Sequence, residues 1–259
     1  MGLDIYAGTL TRYYSRDWKN LVQQQAEENG FKYETIGGDG NEIQSTVDHA
    51  EIEQIHDAIN QWSSNLIERI TPSLPTTFWN EELRCHYFTD RPDWLAYGAL
   101  IMLQACQQFN SPLPEYVDSD WNAYDEPIVK KAMSQETANS LLMDVCFWVP
   151  LQEKAIFGTV MPTGDEMLVS TVELLKQELE KLNQQIWKAD EATILSWATD
   201  KYYIPIVEQK VSKRFLGLIS RKSDTVKFRT EELAQCAYSM MYKAVCFASE
   251  HHVSIVLDF

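Results

Sequence analysis

The stretch VCFWVPLQEKAIFGTVMPTGDEMLVST at residues 145–171 decides how this chain folds. Its first part, VCFWV (145–149), is apolar throughout and too short for a helix, which predicts a buried strand. AIFGTVM and EMLV then flank Pro162-Thr163-Gly164-Asp165, whose proline and glycine suit a tight bend, so the pair predicts a hairpin. Ser170 stands three residues before Glu173, the spacing of a reciprocal capping box, and predicts a helix start. That helix carries Val172, Leu175, Leu179, Leu182 and Ile186 over about two heptads, too short a repeat to require a coiled coil.

Outward from the hairpin, both ends of the chain predict strands. LDIYAGT (3–9) alternates apolar with small or polar residues, and VSIVLDF (253–259) closes the sequence. FKYETI (31–36) is a further short strand signal, running into the glycine-rich GGDGN at 37–41. A helix over 17–29 ends at Gly30. Ile52, Ile55, Ile59, Trp62, Leu66 and Ile70 recur every three or four residues and form one helical stripe, stopped by Thr71-Pro72. Asp90 or Asp93 caps WLAYGALIMLQACQQF, a helix apolar on nearly every face and therefore buried on most sides. An amphipathic pattern covers 191–220, TVKFRT (225–230) alternates, and Thr230 with Glu231 and Glu232 opens a last helix. The class is α+β: a helix-rich single domain over 1–259, with a small sheet built from the N-terminal strand, the central hairpin and the C-terminal strand. A subdivision would fall near 71–77 or 111–128.

Composition limits what such a domain does. Twelve Tyr, ten Phe and eight Trp with 45% hydrophobic residues describe a folded chain. Five cysteines, an odd count without a C-x-x-C pair, argue for a reducing compartment. Asp4 stands where a secretory leader needs positive charge, no run is long enough to span a membrane, and Tyr6 replaces the Ser or Thr of a myristoylation signal. These features predict a cytoplasmic protein with no membrane partner. Charge is unevenly placed: the net is −16, but residues 201–229 hold eight basic and two acidic side chains, +6, so the remainder carries −22. That envelope repels polyanions, and nucleic acid is not an expected partner even though Tyr202, Tyr203 and Phe228 interleave the cations.

Four groupings hold chemistry-bearing side chains. His49, Glu53 and His56 fall on one flank of the Ile-striped helix and could bind Zn or Mn with Asp4 or His86. Their outer spacing of seven, roughly 10 Å along a helix, is longer than a shared metal prefers. Cys85-His86, with Asp90 to orient the imidazole, is a thiol–imidazole pair. His251-His252 marks a helix end. The loop Asp118, Asp120, Trp121, Asn122, Tyr124, Asp125 and Glu126 opens like a calcium loop. It then fails, with Ala123 at the turn-glycine position and Val129 at the bidentate position. Its acids and the aromatic anchors Tyr116, Trp121 and Tyr124 suit capture of a protein. No phosphate-binding glycine motif and no nucleophile elbow occurs.

MGLDIYAGTLTRYYSRDW (1–18), RPDWLAYGAL (91–100) and PTGDEMLVSTVELLKQEL (162–179) are similar to segments of a bacterial protein family to which no activity is attached. The resemblance implies a bacterial cytoplasmic origin and transfers no site residue. The residues themselves favour binding over catalysis: an acidic binding or regulatory protein that captures a basic protein partner without a cofactor, as immunity-type proteins capture toxins. The alternatives are a metal-assisted hydrolase built on His49, Glu53 and His56, and a subunit of a homo-oligomeric assembly.

Overall fold

A computed structural model of the chain describes residues 3–32, 48–70, 78–135, 139–199, 205–211 and 222–259. The chain starts with strand β1 (Asp4–Gly8) and helices α1 (Leu10–Tyr14), α2 (Leu21–Glu28) and α3 (His49–Ile70). Strand β2 (Phe88–Asp90), helix α4 (Trp94–Gln108), strand β3 (Tyr116–Asp118) and helix α5 (Pro127–Met133) follow. Then come β4 (Phe147–Val149), β5 (Ile156–Val160), β6 (Glu166–Thr171), α6 (Val172–Gln185) and α7 (Glu191–Thr199). The last elements are β7 (Ile206–Val211), β8 (Lys222–Arg229), α8 (Thr230–His251) and β9 (Ser254–Asp258). Contacts group the chain into two units. Met1–Arg91, Ala138–Lys181 and Met240–Phe259 form unit one; Pro92–Thr137 and Leu182–Ser239 form unit two. Segment 111–128 lies inside unit two, and 71–77 lies outside the described residues.

Unit one is built on a mixed sheet of order β2-β1-β9-β4-β6-β5. The class is α+β, and the sheet unites the N-terminal strand, the central hairpin and the C-terminal strand. Strands β5 and β6 pair antiparallel from Ile156↔Ser170 to Val160↔Glu166, and the bend between them places Gly164 at φ 92°, which suits glycine. Tyr6, Val149, Val169 and Val256 are fully buried in one cluster, against which Ile55, Trp62 and Ile70 of the α3 stripe pack. Trp148 is also fully buried. Its indole donates to Ser140 Oγ at 3.0 Å, and the Ser140 N–H and hydroxyl donate to Glu178 at 2.7 and 2.5 Å. Burial pushes the Glu178 carboxyl up to about 7 although Ser140 and the Leu141 N–H favour its charge.

Unit two carries an antiparallel sheet of order β3-β8-β7. Asp93 is the cap of α4, accepting the Ala96 N–H at 2.7 Å, whereas Asp90 lies in β2. From Ala96 to Cys106 the helix is buried on most faces, as its composition predicts. Trp187, Trp197 and Tyr238 form a mutual edge-on cluster with centroids 4.9, 5.1 and 5.9 Å apart.

Local boundaries differ from the sequence reading at several points. The helix after the hairpin begins one residue late: β6 stays paired through Thr171, which caps α6 by accepting the Leu174 N–H at 3.2 Å. The hydroxyl of Ser170 instead donates to the Ala155 carbonyl, so it is not available as a cap. The helix expected over 17–29 starts at Leu21, because Asn20 and Gln23 form both halves of a capping box there. Residues 10–14 make the separate helix α1. Within the amphipathic stretch 191–220, residues 206–211 are strand. Most of FKYETI lies outside the described residues.

Candidate functional site

The acidic loop of unit two is a tightly tied turn. Ser119 N–H donates to the Val226 carbonyl, Trp121 N–H to Asp118, Asp125 N–H to Asn122 and Glu126 N–H to Ala123, all at 3.0–3.1 Å. Asn122 caps the single 3₁₀ turn over Ala123–Asp125 through its side chain, and Pro127 begins α5 with its φ already set. The Trp121 indole donates to Glu126 Oε1 at 2.7 Å, and its ring rests over Gly98 of α4. A Cβ at Gly98 would stand 3.0 Å from the Ala123 Cβ, so glycine is what lets the turn seat on the helix. Two acids are thus engaged locally: Glu126 by Trp121, and Asp125 by Asn122 and by Lys130 at 3.4 Å. Asp118, Asp120 and Asp125 are exposed; Trp121, Tyr124 and Glu126 are half-buried.

The neighbouring strand supplies the opposite charge. Asp118 pairs in register with Lys227, and Tyr116 with Arg229, whose guanidinium sits 5.9 Å from the Tyr116 ring centroid. Arg229 also lies 3.8 Å from Glu232. Lys201, Lys213, Arg214 and Arg221 lie outside the described residues, as do the side chains of Lys210 and Lys222.

On α3, His49 and Glu53 are exposed and His56 is half-buried. The Asn60 amide nitrogen stands 3.1 Å from the His56 ring nitrogens, and Asp57 lies 3.9 Å from Nδ1. Among the described residues, no group of three or more His, Cys, Asp or Glu side chains is placed to hold a metal ion. Asp4, offered as a further ligand, is buried on β1 with Asn20 at 3.1 Å and Arg91 at 3.5 Å. His86 is exposed, and burial pushes the adjacent Cys85 thiol up, away from the thiolate a nucleophile needs. His252, at φ 54°, ends α8 as its sequence position suggests.

Sequence reading missed a cleft of about 930 Å³ in unit one. Its walls come from α1, the 15–20 connection, α2, Tyr87 and Asp258 at the end of β9. Three of the lining rings pack on the fully buried Tyr6, whose ring centroid lies 4.9 Å from Trp18, 5.5 Å from Tyr13 and 5.8 Å from Tyr87. Glu81 is also buried and receives the Leu10 and Thr11 N–H groups, the Thr11 hydroxyl and the Trp79 indole at 2.9–3.1 Å. A carboxylate 70 residues away thus caps the open N-terminus of α1 and fixes the cleft wall. Arg12 ties the other side, donating to the Cys85 and Leu83 carbonyls at 2.6 and 2.9 Å. Burial pushes the Tyr13 hydroxyl above its ordinary range, with Asp258 adding to the effect, and pushes Tyr14 up to about 12. Both phenols are therefore neutral hydrogen-bonding groups at any physiological pH.

No family model matches the chain, and no curated protein or solved structure is significantly similar to it. Among the described residues, no helix is long and apolar enough to cross a membrane.

Proposed function

We propose that this chain is an acidic binding protein of the bacterial cytoplasm that captures a basic protein partner, in the manner of immunity-type proteins. The contact surface is the loop of unit two, with Asp118, Asp120 and Asp125 as the charged contacts. Trp121, Tyr124 and Glu126 support them. One observation carries the reading: three exposed aspartates stand on a turn whose backbone is already hydrogen-bonded at Ser119, Trp121, Asp125 and Glu126. A pre-ordered loop loses little conformational entropy on binding, so more of the contact energy appears as affinity. The net charge of −16 adds long-range attraction, which raises the association rate and is screened by salt.

The test compares two variants of equal charge. One carries Asp118→Asn, Asp120→Asn, Asp125→Asn and Glu126→Gln; the other neutralises the exposed Glu51, Glu53, Asp57 and Glu68 on α3. Association with an immobilised, strongly basic globular protein is followed at low salt. The loop variant is expected to associate about tenfold more slowly, and the α3 variant only a few-fold. Equal slowing of the two would show that net charge alone acts and would remove the loop from the reading.

A further inference from the structure

The cleft of unit one differs in chemistry from the acidic loop and supports a separate inference. Three cations and three anions line it, Arg12, Arg16 and Lys19 against Asp17, Glu27 and Asp258, so its formal charge is zero. Most of these charges are held in place by the chain itself. Arg12 Nε lies 3.6 Å from Asp17, Lys19 Nζ lies 2.6 Å from Glu27, and Asp258 accepts the Tyr13 hydroxyl at 3.1 Å. The cleft therefore carries no excess charge of either sign that would select an anionic or a cationic ligand.

What the walls offer is aromatic surface with polar groups interleaved. Tyr13 and Trp18 lie 25° from parallel at 5.9 Å, and Tyr87 lies 27° from parallel with Tyr6 at 5.8 Å. Each pair is closed on itself, so a ligand meets a single ring face and not a slot between two rings. A pyranose needs none, because it packs its C–H face on the outer side of one ring and turns its hydroxyls to side-chain acceptors and donors. The carboxylates of Asp17 and Glu27, the Gln24 amide and the Trp18 indole all line the same cleft. Its 930 Å³ falls within the roughly 300–1,000 Å³ typical of small-molecule sites.

We propose that this cleft binds a neutral saccharide, with Trp18 as the stacking platform and Asp17, Gln24 and Glu27 receiving the hydroxyls. The site is independent of partner capture by unit two. The experiment applies the labelled full chain to an array of neutral, sialylated and sulfated glycans, then titrates the best neutral hit by saturation-transfer NMR. Binding to at least one neutral glycan is expected, with an affinity that changes less than twofold between low and about 0.5 M salt. Trp18→Ala is expected to weaken it at least tenfold. Because Trp18 also packs on Tyr6, Gln24→Ala serves as a second variant, with a several-fold loss expected and the far-ultraviolet spectrum unchanged. No neutral glycan above background, binding confined to charged glycans, a steep salt dependence, or full affinity in both variants would each overturn the proposal.

Discussion

Asp4, Glu81 and Glu178, all in unit one, are the buried acidic residues among those described, whereas Asp118, Asp120 and Asp125 of unit two stand in solvent. Burial pushes the three interior carboxyls up in each case, and each receives donors from its own chain: Asn20 for Asp4, α1 and Trp79 for Glu81, Ser140 for Glu178. Asp118 and Asp120 keep most of their hydrogen-bonding capacity for water or another molecule, and Asp125 is held only by the neighbouring Asn122 and Lys130. On the proposed function, one residue type serves architecture in one unit and recognition in the other, and what separates the roles is where the donors come from. Substitutions should divide accordingly, into losses of stability in unit one and losses of association in unit two.

The largest effect is expected from Glu81→Ala. It leaves the Leu10 and Thr11 N–H groups, the Thr11 hydroxyl and the Trp79 indole without their acceptor in a buried place. A loss of about 4 kcal/mol in denaturant unfolding is expected, together with loss of the cleft. Glu81→Gln keeps one acceptor oxygen and should recover part of it. A loss below about 1 kcal/mol for the alanine variant would break the distinction between the units at its strongest point.

Next in size is a pH effect at Glu178. Its carboxyl ionises near 4.5 when unfolded and about 7 when folded, so the folded chain holds the proton more tightly. This contribution to stability is fully present below pH 4.5 and disappears as pH rises through 7, a change of roughly 3 kcal/mol. Unfolding free energies at pH 5 and pH 8 should therefore differ less in Glu178→Gln than in the parent chain. Identical profiles for the two proteins would show that Ser140 and Leu141 hold the ionised carboxylate without strain.

What the sequence revealed and what it hid follow from the range of the interactions. The hairpin, the α3 stripe and the buried α4 were legible because a strand alternation, a helical period and an all-apolar run are properties of neighbouring residues. The acids of the loop were legible as composition, but their ordering was not: Trp121 seats on Gly98, which belongs to a helix more than twenty residues earlier. The cleft was hidden entirely. Its walls combine residues 12–27 with Tyr87 and Asp258, and only the pairing of β1 with β9 and β2 brings those together. The cluster YYSRDWK at 13–19, dense in rings and charges, is the one local signal that could have pointed to it. The helix start misplaced at Ser170 has a similar cause, since the pairing of β6 with β4 extends through Thr171 and overrides the local cap.

The smallest stability effects belong to unit two, and they decide whether its loop recognises a partner or merely closes a turn. Trp121→Phe keeps most of the ring over Gly98 but removes the donor that holds Glu126, so a loss of about 1 kcal/mol is expected. Asp118→Asn with Asp120→Asn should change stability by no more than about 0.5 kcal/mol, because both side chains already face solvent. Association should rank the two variants the other way. On the proposed function, the aspartate pair carries the charge that a basic partner meets, whereas Trp121 only orders the turn that presents it. Measuring unfolding and association on the same two variants therefore gives opposite orders if recognition is the loop's role. The same order in both measurements would mean that the acids, like those of unit one, serve the fold.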